Sequence, residues 1–238
     1  MPQYFPPNSN AFAKWSIIGG LIFFTLILTC LAIYVRSYRN RVSVPVSQPI
    51  PFSHALHAGE LGVDCRYCHS SVEVAANANI PPVETCMTCH SQIRQGSPRL
   101  YPLYASWDQA IPGVNDTKSL EAGTDAPPPN SERLEWNRVH DLADFVYFNH
   151  SAHVNKGVGC SSCHGEVNRM EGMWKNEQMS MGWCLECHRA PEKHVRPIDE
   201  VFNVNYKKPT NQLALGAQLV EEYHINTGKL AQCSTCHR

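Results

Sequence analysis

The sequence predicts a mainly helical and irregular protein. One membrane-spanning helix at the amino end is followed by a region of short helices and loops without a conventional apolar core. Three observations predict this. Residues 15–35 read WSIIGGLIFFTLILTCLAIYV, an apolar run of 21 residues without a charge. Ten of the 11 cysteines fall beyond that run, in five C-x-x-C-H units. Those units share about 197 residues, roughly 40 each, too few to build an apolar core around every one. Composition sets the outer bounds. A chain of 238 residues with 43% apolar content and a net charge of -1 is neither a long disordered polymer nor a basic nucleic-acid binder. An odd cysteine count excludes a disulfide framework that uses every thiol.

The amino-terminal run spans roughly 30 Å as a helix, the thickness of a bilayer's hydrocarbon core. Lys14 closes one end, and Arg36, Arg39 and Arg41 close the other, with Trp15 and Tyr34 at the interfacial positions. A secretory signal peptide has a shorter apolar core and a small-residue cleavage site, so an uncleaved anchor is expected over residues 1–41. Cys30 lies inside the run and accounts for the odd cysteine. It reads as a small buried hydrophobe rather than a lipidation site, because Thr29 is a poor residue before a lipobox cysteine.

The five units are CRYCH (Cys65, Cys68, His69), CMTCH (Cys86, Cys89, His90), CSSCH (Cys160, Cys163, His164), CLECH (Cys184, Cys187, His188) and CSTCH (Cys233, Cys236, His237). Two cysteines at this spacing form thioethers with the two vinyl groups of one heme, and the adjacent His reaches the iron. Zinc ribbons need paired C-x-x-C units and no obligatory His. Redox C-x-x-C disulfides sit in a βαβ context absent here. Five covalently bound c-type hemes are therefore expected, and the porphyrins themselves should serve as the core.

Seven further histidines remain: His54, His57, His140, His150, His153, His194 and His224. Two segments repeat. PFSHALHAGELGVDCRYCH starts at Pro51 and YFNHSAHVNKGVGCSSCH at Tyr147, aligning Phe52 with Phe148, His54 with His150 and His57 with His153. The chain is thus organised as an anchor (1–41), a Pro-rich tether and first two-heme module (42–98), a cysteine-free connecting segment (99–135) and a second, three-heme module (136–238).

The F-x-H-x-x-H block before C-x-x-C-H resembles the small multiheme cytochromes of the c3 and c7 type. That resemblance implies distal ligands: His54 for the heme of His69, His57 for that of His90, His150 for that of His164, and His153 for that of His188. In such modules the third heme takes its distal ligand from just before the module's second binding unit. Here that stretch reads QMSMGWC, which points to Met181 for the heme of His237, with Met179 and His224 as rivals. A Met ligand raises the potential of that heme above its bis-His neighbours. His140, His194 and His224 read as hydrogen-bonding residues, with His140 a reserve ligand.

Ligand supply also bears on function. The seven spare His and the methionines exceed the five distal positions, and no unit has a replaced proximal His. Six-coordinate hemes that exchange electrons are expected, with no catalytic site. Heme attachment in bacteria places the heme region outside the inner membrane, whereas three Arg after the helix vote the other way. The heme chemistry decides for the periplasmic side. VSVPVSQPIP (42–51) reads as a stiff extended tether. The long cysteine-free segment, with Tyr101, Tyr104 and Trp107, suits contact with a partner or cover for a heme edge.

Taken together, PFSHALHAGELGVDCRYCHSSVE, IPPVETCMTCHSQI, VHDLADFVYFNHSAHVNKGVGCSSCHG and CLECHRAPEKH make residues 50–238 similar to the pentaheme cytochrome subunit of bacterial alternative complex III. The resemblance implies an iron–sulfur subunit, polytopic quinol-binding subunits and a monoheme cytochrome as partners. It also implies electron flow from menaquinol toward a periplasmic cytochrome or a terminal oxidase. The competing expectation is an anchored quinol dehydrogenase cytochrome that feeds a periplasmic reductase.

Overall fold

A computed structural model describes residues 4–107 and 134–237. The chain divides after Arg41 into two units. The first is built on α1 (Ser9–Asn40), 32 residues without a break. Its stretch Ser9–Arg36 has a mean hydropathy of 2.5, and it is the helix among the described residues that is long and apolar enough to cross a membrane. The hydroxyls inside it are satisfied locally. Thr25 donates to the Leu21 carbonyl at 3.0 Å and Thr29 to the Thr25 carbonyl at 2.8 Å, so neither needs water.

The second unit runs from Val42 and contains only short helices: α2 (Cys65–Cys68), α3 (Val83–His90), α4 (Tyr101–Ser106), α5 (His150–Val154), α6 (Ser161–His164), α7 (Met181–Arg189), α8 (Gln212–Glu222), α9 (Thr227–Leu230) and α10 (Cys233–Cys236). Among the described residues there is no named strand, only isolated bridges pairing Val42 with Lys175 and Val158 with Val195. Ten apolar side chains are buried among these residues. They fall mainly in two small clusters, Ile50–Met87–Leu103–Tyr104 and Val72–Val154–Val201. So thin an apolar interior agrees with a domain whose core is supplied by something other than side chains.

The two modules read from the sequence interlock rather than stand apart. Val72 belongs to the first and Val154 and Val201 to the second, yet all three share one cluster. The backbone N–H groups of His150 and Ser151 donate to the Ala76 and Ala75 carbonyls, and that of Ala55 donates to the Met170 carbonyl. A close approach makes the last bond possible. Gly59, in the helical turn Ala55–Glu60, lies where any Cβ would run into the Asn168 carbonyl.

Two expectations need correction. The Pro-rich segment 42–51 is not a free tether. The Ser43 N–H donates to Lys175 and the Val46 N–H to Met173, Gln48 bonds Asn137 through both its amide atoms, and Ile50 is buried. Its prolines keep it extended, and that extension lets it lie along residues 172–175. Tyr104 is likewise no partner surface: it is 1% exposed and its hydroxyl donates to the His90 carbonyl at 2.5 Å. Trp107 packs on the same cluster, with Leu134 and Trp136. Residues 108–133, the bulk of the cysteine-free segment with its APPPN stretch, lie outside the described residues.

The carboxyl-terminal part is held by another close approach. Gly216 lies in the middle of α8, where any side chain would meet the Glu192 carbonyl of the turn Pro191–Lys193. Gly216→Ala should cost about 1–3 kcal/mol through overpacking and lower the melting temperature of the heme-loaded protein by several degrees. Gly172→Ala serves as the control, since its Cβ would meet only Pro45 at 3.6 Å, and should leave the melting curve unchanged.

Candidate heme-binding units

Each C-x-x-C-H unit folds as about one helical turn, which is what its chemistry requires. Residues three and four apart share a helix face, so both thiols and the imidazole project to one side. The turn is closed by the His N–H donating to the first Cys carbonyl, at 2.8 Å in the first unit, 3.0 Å in the third and 2.9 Å in the fifth. Side chains fix two of the starts: Asp64 accepts from the Arg66 N–H and Ser180 from the Trp183 N–H. None of the ten cysteines of the units is paired in a disulfide. Burial, with the neighbouring Cys65 thiol next, pushes Cys160 up to about 11; burial and then Cys187 push Cys163 up to about 12.

The candidate axial histidines are oriented by their Nδ1 atoms. His69 Nδ1 lies 2.6 Å from the Asn79 carbonyl oxygen, His188 Nδ1 2.9 Å from Leu230, His237 Nδ1 3.1 Å from Phe145, and His90 Nδ1 3.4 Å from Ile93. On the candidate distal side, His57 reaches the Ser53 carbonyl at 2.8 Å, His150 that of Ala76 at 2.8 Å, and His153 that of Asn149 at 2.7 Å. A carbonyl only accepts, so each Nδ1 carries the proton and each Nε2 keeps a lone pair for a metal. His54 differs: its buried Nδ1 has no hydrogen-bond partner among the described residues.

The rings pair at an informative spacing. Centroids lie 6.2 Å apart for His57 and His90, 6.3 Å for His150 and His164, and 6.1 Å for His153 and His188. With imidazole–metal bonds of about 2 Å, one iron between two imidazoles puts the ring centroids about 6 Å apart. These residues therefore fit a six-coordinate heme at each of three units. His54 and His69 are close enough to influence one another. Burial first, then His69 and His57, push His54 down to about 4.

The sequence repeat is reproduced in space. Phe52 meets His54 edge-on at 4.8 Å and stacks on His57 at 4.4 Å. Phe148 meets His150 edge-on at 4.8 Å and stacks on His153 at 4.5 Å. One phenyl ring thus wedges both histidines of each block.

Other sequence candidates are scattered. Met181 opens α7 and is 64% exposed. Met179 and His224 both sit in left-handed backbone, at φ 50° and 51°. Met170 is buried and packs as a core residue. His140 lies against His164, with its Nε2 3.3 Å from the His164 Nδ1 and the rings edge-to-face at 4.4 Å. Burial, then Lys175, push His140 down to about 4, which keeps it neutral. No spacing rule points to this contact, which only the fold reveals.

Contacts also link neighbouring units. The Tyr67 hydroxyl lies 2.7 Å from the Thr88 hydroxyl, joining CRYCH to CMTCH. Cys65 neighbours Cys160, Cys163 neighbours Cys184 and Cys187, and Cys184 neighbours Cys236. These links run CMTCH, CRYCH, CSSCH, CLECH, CSTCH, which is not the order of the sequence.

Known proteins resemble both parts of the region that carries these units. A family model described as cytochrome c7 and related cytochrome c matches residues 146–238. The class III cytochrome c family model matches residues 33–110. Among curated proteins, the multiheme cytochrome c subunit of the menaquinone reductase of Nitratidesulfovibrio vulgaris strain Hildenborough is 24% identical over 209 residues, covering 79% of this chain and 89% of that protein.

Removing one distal imidazole should open one iron. His150→Ala is expected to convert one low-spin heme per chain to a form that, when reduced, binds one carbon monoxide, while the unsubstituted protein binds none. Optical titration with carbon monoxide measures this, and equal uptake by the two proteins would refute the pairing of His150 with His164.

Proposed function

Because the chain carries multiheme cytochrome c domains of the class III and c7 type, we propose that it is a membrane-anchored pentaheme cytochrome c. On this reading it relays electrons within a quinone-linked respiratory complex. The observation that carries the proposal is the set of three imidazole pairs 6.1–6.3 Å apart, in which five of the six rings direct Nδ1 to a backbone carbonyl. Bound heme iron supplies one-electron chemistry between its ferrous and ferric states, and the protein sets ligands, spacing and potentials.

The residues divide the work. Cys65, Cys68, Cys86, Cys89, Cys160, Cys163, Cys184, Cys187, Cys233 and Cys236 hold the porphyrins. His69, His90, His164, His188 and His237 are the proximal ligands. His54, His57, His150 and His153 take four distal positions and Met181 the fifth. With every axial position claimed, no iron is left for a substrate, and this favours a relay over a catalyst.

In this proposal α1 anchors the chain in the bacterial inner membrane and the heme domain faces the periplasm. The partners are an iron–sulfur subunit, polytopic quinol-binding subunits and a monoheme cytochrome. Electrons from menaquinol pass to a periplasmic cytochrome or a terminal oxidase. One observation favours the opposite direction: the relative in Nitratidesulfovibrio vulgaris belongs to a menaquinone reductase. An open iron and quinol activity in the chain alone would instead indicate a free-standing quinol dehydrogenase.

Purification in mild detergent distinguishes these readings. The expected result is a multisubunit complex with five hemes on this chain, a number that Cys30→Ser leaves unchanged. A menaquinol analogue should reduce those hemes in the complex but not in the isolated chain. Reduction of the isolated chain by menaquinol would overturn the relay reading in favour of the dehydrogenase.

Met ligation has its own signature. A potentiometric titration should show one heme well above the other four, and Met181→His should bring it down among them. An unchanged titration would move the fifth distal position to Met179 or His224.

A further inference from the structure

Four of the five proximal histidines direct Nδ1 to a backbone carbonyl; His164 directs it to a side chain, the Nε2 of His140 at 3.3 Å. The two ring planes are nearly perpendicular, at 83°, with centroids 4.4 Å apart. On the other side, the His150 ring is nearly parallel to His164, at 7° and 6.3 Å. His164 is therefore held between a metal position and a second imidazole, an arrangement that the other four units lack among the described residues.

We propose that His140 is a positioning residue for the heme held by Cys160, Cys163 and His164. By accepting the Nδ1 proton of His164, it orients that ligand and sets the reduction potential of its iron. The inference rests on the pentaheme reading above. With the His164 Nε2 turned to the metal, its Nδ1 is the donor, and His140 accepts through Nε2 while its own proton sits on Nδ1. An imidazole nitrogen is a more basic acceptor than a peptide carbonyl, so it draws the His164 proton further. A more electron-rich ligand favours ferric iron and lowers the potential. Backbone carbonyls cannot be exchanged by mutation, so this is the one proximal ligand whose acceptor the sequence can vary. The unit also lies at the middle of the linked series, adjoining both CRYCH and CLECH.

The test compares the unsubstituted protein with His140→Phe, which keeps a ring without an acceptor, and His140→Gln, which keeps an acceptor of carbonyl type. Heme content, carbon monoxide binding, low-spin paramagnetic resonance and a potentiometric titration are read on each. In His140→Phe all five hemes should remain low-spin, with one potential raised and one resonance signal displaced. In His140→Gln the same heme should move in the same direction by less. Should His140→Phe lose heme, His140→Gln decides alone: one displaced heme supports the proposal and five unchanged ones overturn it.

It is also overturned if a variant with five hemes matches the unsubstituted protein in every signal, or if the two variants shift that heme equally. Loss of heme from both would make His140 a packing residue, and a new carbon monoxide site would make it an axial ligand; either ends the proposal. Fewer than five low-spin hemes in the unsubstituted protein would instead defeat the pentaheme reading.

Discussion

An imidazole serves a metal well only when its second nitrogen is held, because that bond fixes both the tautomer and the plane of the ring. In this protein several of the holders come from far along the chain. His150 is held by Ala76, His188 by Leu230 and His237 by Phe145, separations of 74, 42 and 92 residues. A ligand set of this kind cannot be assembled locally. The candidate sites become competent only when the whole region from Val42 onward has closed on itself, so the fold and the site are one set of interactions.

The same dependence explains what was legible in the sequence. Cysteine pairs followed by His, the F-x-H-x-x-H repeat and the long apolar helix are encoded within a few consecutive residues, and their local structures follow from helix geometry. Phe52 and Phe148 could be aligned from sequence, and each wedges its two histidines in nearly the same way. Contacts between distant segments left no such trace. Prolines in 42–51 suggested a spacer because extended chain has the same local signature whether it is solvated or laid against residues 172–175. Tyr104 suited either a partner contact or cover for a heme edge, and its burial against α3 removes the first. His140 is one histidine among seven outside the units, and nothing in its spacing separates a ligand from a ligand's partner.

With few buried apolar side chains, the domain uses polar and backbone contacts to close its interior. Arg196, 4% exposed, reaches the hydroxyls of Ser161 and Ser162 at 3.2 and 3.1 Å and lies over the Tyr206 ring at 4.5 Å. It thereby ties the third heme-binding unit to the chain that follows the fourth. Gly159 keeps the space for it, since any side chain there would collide with the guanidinium. Such contacts are directional, so they set where a binding unit lies more sharply than a fluid apolar packing would. The spacing between neighbouring units is then determined by the polypeptide and not left to the porphyrins.

The F-x-H-x-x-H block has a further consequence. Two histidines three residues apart project from one helical turn, yet on the proposed ligation they serve different irons. That places His54 and His57 between the units of His69 and His90, and His150 and His153 between those of His164 and His188. On that ligation, each block brings its two units close together. The blocks cannot join one pair to the other; that junction is tertiary, carried by Val72 against Val154 and by Ala76 accepting from His150. It falls between the first unit of each module, which leaves the second and fifth units, those of His90 and His237, at the two ends of the series. An electron donor and an electron acceptor that meet this protein at opposite ends would thus meet residues 83–90 and 233–237.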